Sequence, residues 1–145
     1  MFSKILVPTD GSELSERAGR AAVAFAAQQR AAIVALCVAE PYPFAPLAET
    51  AFVDEREDFE KRARALAQEH VNRIASAAAD AGVSCSTVVA QSHAPYDEIV
   101  KTAAEQGCDL IFMASHGRKG LSRLFIGSET QKVLANSSIP VMVYR

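Results

Sequence analysis

The stretch Asp109-Leu110-Ile111-Phe112-Met113-Ala114 contains five consecutive apolar residues that do not alternate with polar ones. A strand of this kind is buried on both faces, as in a parallel sheet covered by helices. Residues 33–38 form a second continuous apolar run. The two runs predict a parallel sheet in the middle of the fold.

Segments with helical periodicity separate the apolar runs. The predicted strands are residues 4–7, 33–38, 83–90, 109–114 and 139–144, and the predicted helices are residues 13–30, 55–81, 95–106 and 128–136. Alternating strands and helices require right-handed crossovers. We therefore expect a single doubly wound, Rossmann-like α/β domain over residues 1–145, with a five-stranded parallel sheet and helices on both faces.

Composition and charge exclude several classes of protein. The formal net charge of -2 argues against a nucleic-acid-binding protein, which needs clustered positive charge. No apolar stretch approaches the roughly 20 residues of a membrane helix, and the first apolar segment is too short for a signal peptide. The three cysteines lack the spacing of a zinc site or a redox pair. We expect a soluble cytoplasmic protein in which these thiols are small buried hydrophobes.

In a sheet of this class, ligands bind beyond the carboxyl ends of the strands, where the strand order reverses. The segment after residue 114 contains Gly117 and Gly120, and it ends at Gly127-Ser128, where a helix is predicted to begin. The amino end of a helix attracts anions through its N–H groups and its dipole. This pattern favours phosphate binding and an ordinary surface loop about equally. The loop also contains the basic residues Arg118, Lys119 and Arg123.

Asp10 follows the first predicted strand, so its carboxylate is expected at the mouth of the same crevice. It has the chemistry to accept a hydrogen bond from a ribose hydroxyl or an adenine amino group. The alternative role is turn formation. Since Ser12 is available to cap the next helix, the binding role is slightly favoured.

Common catalytic motifs are missing from the sequence. There is no Walker A loop, no Gly-x-Gly-x-x-Gly fingerprint and no Gly-x-Ser-x-Gly elbow. The three histidines lie far apart in sequence. His70 is expected to be solvated on a charged helix, His93 lies at a strand end, and His116 is interpreted as an orienting or packing residue rather than a general base.

Three motifs together resemble those of a single-domain universal stress protein, and the resemblance covers essentially the whole chain. The opening motif reads Ile5-Leu6-Val7-Pro8-Thr9-Asp10-Gly11-Ser12. The family's nucleotide signature is Gly, two residues, Gly, nine residues and Gly-Ser, and here it reads Ala114, Ser115-His116, Gly117, nine residues and Gly127-Ser128. The chain also ends in the family's last strand, Ile139-Pro140-Val141-Met142-Val143.

The resemblance implies an ATP site, with AMP or ADP as alternatives, in the crevice between the first and fourth strands. Mg²⁺ would be held mainly by phosphate oxygens, so no metal-ligating residues are expected. The adenine and ribose contacts carry over to Pro8, Thr9, Asp10, Val38 and Met113. The phosphate contacts carry over to Gly117, Gly127 and Ser128, with Glu129 and Thr130 close by. Ala114 and His116 lie within the signature, and Arg118 flanks it.

Ala114 replaces the first glycine of that signature, and the family has members that bind ATP and members that do not. In a strand conformation the additional methyl group is tolerable. In a left-handed conformation it would weaken or abolish binding.

The resemblance further implies a nucleotide-responsive module in a stress response rather than a fast enzyme, with protein partners that remain to be identified. It implies a homodimer formed through the last strand, where Val141 and Val143 offer an apolar edge. One alternative is a dimeric interaction module that binds no nucleotide. Another is a slow nucleotide hydrolase or phosphotransferase that uses His116 or Asp10.

Overall fold

The strands and helices alternate along the chain in the predicted order. The computed structural model describes residues 1–43, 53–117 and 126–145. The elements are β1 (Lys4–Pro8), α1 (Glu13–Gln29), β2 (Ala32–Ala39), α2 (Val53–Asp80), β3 (Cys85–Gln91), α3 (Pro95–Glu105), β4 (Leu110–Ala114), α4 (Ser128–Asn136) and β5 (Val141–Tyr144).

The five strands form one parallel sheet in the order β3-β2-β1-β4-β5. The chain builds outward from β1 to β2 and β3, and then crosses to β4 and β5 on the other side. The strand order therefore reverses between β1 and β4, where Leu6 is in register with Ile111. The predicted α/β fold is confirmed, and the carboxyl ends of β1 and β4 are neighbours.

Both faces of the sheet are buried, which explains the continuous apolar runs. Alternate residues of each strand point to opposite faces. Ile5 and Val7 belong to the cluster that packs under α1 and α2, whereas Leu6 and Ile111 belong to the cluster under α3 and α4. Two helices thus cover each face, so a ligand is expected at the ends of the strands.

At the amino ends of the strands, Asp109 ties the start of β1 to the start of β4. Its carboxylate accepts hydrogen bonds from Ser3 N at 2.8 Å, Ser3 Oγ at 2.7 Å and Lys4 N at 3.0 Å. Desolvation raises the pKa of Asp109, but these hydrogen bonds outweigh it and hold the pKa below its ordinary value.

The cysteines only partly match the expectation of buried thiols. Cys37 and Cys108 are buried, whereas Cys85 at the start of β3 is half-buried. Desolvation raises the pKa of the Cys85 and Cys108 thiols, which keeps them protonated near neutral pH. Within the described ranges, no helix has the length and apolarity needed to cross a membrane.

Candidate functional site

The loop that leaves β1 is held by its own polar groups. Thr9 N donates to the carbonyl of Leu36 in β2 at 2.8 Å. The buried Thr9 hydroxyl lies 3.1 Å from Ser15 Oγ and accepts a hydrogen bond from Gly11 N at 3.2 Å. The side chain of Thr9 therefore shapes the loop.

Asp10 bridges this loop and the loop that leaves β4. Its Oδ1 accepts a hydrogen bond from Ser12 N at 3.0 Å, which is an Asx turn. Its Oδ2 lies against Gly117, where a Cβ atom would overlap it. Only a glycine at position 117 allows this approach, so the structure brings Asp10 and Gly117 together.

Ala114 is the last residue of β4 and is in register with Tyr144 of β5. Arg30 is the only non-glycine residue with a positive φ in the described part of the chain, so Ala114 has no left-handed strain. Its methyl group packs in the cluster under α1. Ala114 thus has the strand conformation, in which its methyl group is tolerated.

Gly127 brings the start of α4 directly against the end of β4. Gly127 N donates to the carbonyl of Ser115 at 2.7 Å, and a Cβ atom at position 127 would lie 3.1 Å from the Cα of His116. Gly127 is also the N-cap residue of α4 and supplies no side-chain hydrogen bond to it. Backbone N–H groups in such a first turn favour a negative charge.

The three predicted residues of that first turn have different environments. Ser128 is exposed. Glu129 accepts a hydrogen bond from Tyr96 N at the start of α3 at 2.9 Å, and it pairs with Lys132 at 3.1 Å. Thr130 is buried and donates from its hydroxyl to the carbonyl of Ala114 at 3.0 Å. The side chains of Glu129 and Thr130 therefore fix α4 to its neighbours, and their backbone N–H groups stay in the first turn.

Val38 and Met113 line one side of the same strand ends. Both belong to the apolar cluster under α3 and α4; Met113 is buried and Val38 half-buried. Pro8 is two residues beyond Leu6, so the alternation along β1 gives it the same face. Pro8, Val38 and Met113 together form an apolar wall, which suits the flat face of an aromatic ring.

His116 is half-buried, and its Nδ1 lies 3.1 Å from Ser115 Oγ. The orienting role of His116 stays a prediction. The predicted residues Arg118, Lys119, Gly120 and Arg123 lie outside the described ranges. The structure shows no cluster of metal-ligating side chains among the residues it describes.

Sequence reasoning missed two residues of this region, Ser15 and His70. Ser15 is buried, and its hydroxyl meets Thr9 and donates to the carbonyl of Ser12 at 2.9 Å. The prediction that His70 is solvated is wrong: it is 7% exposed and its ring packs against Gly11. Its spacing from the buried Ala67 and Ile74 was the available signal, because residues three and four apart share a helix face.

Comparison with known proteins agrees with the fold. A family model described as the universal stress protein family matches residues 1–145. The universal stress protein YxiE of Bacillus subtilis is 34% identical over 149 residues, which cover 100% of each chain. The solved structure of MJ0577 from Methanocaldococcus jannaschii has a TM-score of 0.82 at 30% identity and covers 99% of this chain and 96% of that one.

Two more distant structures share the fold and contain nucleotides. One is a universal stress protein in complex with cAMP, with 23% identity and a TM-score of 0.69; the match covers 99% of this chain and 97% of that one. The other is the universal stress protein from Archaeoglobus fulgidus in complex with dAMP, with 19% identity and a TM-score of 0.64; the match covers 99% of this chain and 98% of that one.

Proposed function

Because the chain belongs to the universal stress protein family, we propose that it binds ATP at the carboxyl ends of β1 and β4 and acts as a nucleotide-responsive module in a stress response. AMP and ADP are the other adenine nucleotides that suit this site. Mg²⁺ would enter with the nucleotide and be held mainly by its phosphates.

The observation that carries the proposal is the contact between the Asp10 carboxylate and Gly117, close to the start of α4. A carboxylate that accepts hydrogen bonds suits the ribose hydroxyls. The first-turn N–H groups of α4 suit the phosphates, since they carry partial positive charge. The apolar wall of Val38 and Met113 suits the adenine ring. The residues at the carboxyl ends of these strands thus include a group that suits each part of a nucleotide.

Two further facts support nucleotide binding. The relatives in complex with cAMP and dAMP show that this fold accommodates adenosine monophosphates. The strand backbone of Ala114 accommodates its methyl group, which packs in the apolar cluster under α1 and α2. The residues proposed to contact the nucleotide are Pro8, Thr9, Asp10, Val38, Met113, Ala114, His116, Gly117, Arg118, Gly127, Ser128, Glu129 and Thr130.

The proposal extends to assembly and location. β5 is an edge strand whose residues are all only partly buried, so pairing with a second copy through β5 would cover it. The thiols Cys37, Cys85 and Cys108 are all free, which is typical of the reducing cytoplasm.

The test is the nucleotide content of freshly purified protein, followed by calorimetric titration of Mg²⁺-ATP into protein stripped of nucleotide. We expect stoichiometric binding. It should be lost in Gly127→Val, whose side chain would push α4 away from His116, provided that circular dichroism shows a folded variant. Ser76→Ala, an exposed substitution on α2, is the control. Stripped protein that fails to bind ATP would overturn the proposal.

A further inference from the structure

His70 is a buried imidazole within an otherwise charged helix. It lies on α2 between the buried residues Ala67 and Ile74, and only 7% of its surface is exposed. α2 is not one of the elements whose ends form the candidate site. Its buried face nevertheless reaches the loop after β1 through the ring of His70.

The ring and Gly11 fit each other closely. Gly11 has a φ of +76°, a conformation that strongly favours glycine. A Cβ atom at position 11 would lie 2.6 Å from Nδ1 of His70 and closer still to Cε1 and Nε2. The imidazole therefore occupies the space into which any other residue would project its side chain. Position 11 requires glycine for both reasons.

The other side of the same dipeptide is also in contact. Asp10 precedes Gly11, and its Oδ2 lies against Gly117. The dipeptide 10–11 is thus held between a ring on α2 and the backbone that follows β4. α2 also contacts α1 through the partly exposed ion pair of Arg73 with Glu16.

We propose that His70 is a positioning residue of the nucleotide site, which packs on Gly11 and so holds the Asp10 carboxylate against Gly117. The inference rests on the proposed function and adds α2 to the site. A loop that is already ordered loses less entropy when a ligand binds, so the ring raises affinity without touching the nucleotide. Coupling is reciprocal, and nucleotide binding must therefore stabilise the packing of His70.

The first measurement needs no ligand. Ser12 N donates to Asp10 Oδ1, so its amide hydrogen exchange reports whether the carboxylate is held. We expect faster exchange at Ser12 in His70→Ala than in the wild type. His70→Gln, which keeps a planar polar group near Gly11, should restore part of the protection. His93→Ala removes an exposed histidine and is the matched control.

The second measurement is ATP affinity by calorimetry in the same variants. We expect His70→Ala to bind about tenfold more weakly than the wild type, within the range of typical coupling between sites. His93→Ala should bind as the wild type does. The Cε1–H resonance of His70 should shift when ATP is added, and that of His93 should not.

A double-mutant cycle tests the contact itself. Gly11→Ala should be destabilising because its methyl group overlaps the ring. Adding His70→Ala removes that overlap, so the double variant should be no less stable than Gly11→Ala alone. Independent, additive losses would contradict the packing of these two residues.

The outcomes separate the two proposals. A wild-type protein that binds no ATP overturns the proposed function, and with it the role of His70. A wild-type protein that binds ATP, together with His70→Ala that matches His93→Ala in Ser12 exchange and in affinity, overturns the role of His70 alone.

Discussion

The carboxylate of Asp10 lies against the α-carbon of Gly117, in the space that a side chain at position 117 would fill. The two residues follow β1 and β4, which are adjacent in the sheet although they are far apart in sequence. The contact forms because the strand order reverses between these strands. It brings the loop after β1 against the backbone that follows β4.

Gly117→Ala is expected to displace the Asp10 side chain and to weaken ATP binding by about tenfold. This is the loss expected when the Asp10 carboxylate no longer forms one charge-assisted hydrogen bond with the nucleotide. Calorimetric titration would measure the affinity. In an Asp10→Ala background the same substitution should have little further effect, because the carboxylate is gone. Equal losses in both backgrounds would show that Gly117 acts independently of Asp10.

Thr130→Val is expected to lower the free energy of unfolding by about 1–2 kcal/mol, because it leaves the carbonyl of Ala114 without its 3.0 Å hydrogen bond inside the protein. Urea denaturation would measure the change. Thr130→Ser keeps the hydroxyl and should recover most of the stability. If Thr130→Ser were as unstable as Thr130→Val, which keeps the methyl group, the methyl group would contribute as much stability as the hydroxyl.

Asp109→Asn is expected to destabilise the protein by about 1 kcal/mol at neutral pH, a value that allows for solvent screening. The pKa of Asp109 is lowered by folding, so its contribution is present above the unfolded-state pKa and is lost as the pH falls through the lower folded-state pKa. Denaturation at several acidic pH values should therefore show a flatter stability profile for Asp109→Asn than for the wild type. Asp80→Asn, at the exposed end of α2, should leave the profile unchanged.

Val143→Lys is expected to convert the proposed dimer into a monomer, since a charge on β5 disfavours pairing of that edge with another strand. Light scattering after size-exclusion chromatography would give the mass, to be compared with the 15.5 kDa of one chain. Thr87→Lys places the same charge on β3, the opposite edge of the sheet, and should not change the mass. A wild-type protein of monomer mass would contradict dimerisation through β5.

The sequence was sufficient to predict the elements because local patterns determine them. The apolar residues 110–114 require a strand buried on both faces, and Ser12 caps α1 as expected, with Ser15 N donating to its hydroxyl at 3.3 Å. The last strand starts at Val141 rather than at residue 139, since Ser137 Oγ binds both the N–H and the carbonyl of Ile139.

The contacts between distant elements were less predictable. His70 was misread because charged neighbours surround it along α2, and its burial depends on the position of Gly11 in another element. Glu129 was predicted to lie close to the phosphates. No pattern in the neighbouring sequence indicates that its carboxylate accepts a hydrogen bond from Tyr96 N at the start of α3. Such pairings depend on how the helices pack on the sheet.

The position of β1 in the middle of the sheet bears on how the protein is made. β1 leaves the ribosome well before its neighbour β4, which follows only after residue 109, and before α4, which follows only after residue 127. A partly synthesised chain therefore leaves one side of β1 open to other strands. The candidate site combines residues that follow β1 with residues that follow β4, so the proposed nucleotide would bind only to chains in which β4 and α4 have already folded against β1.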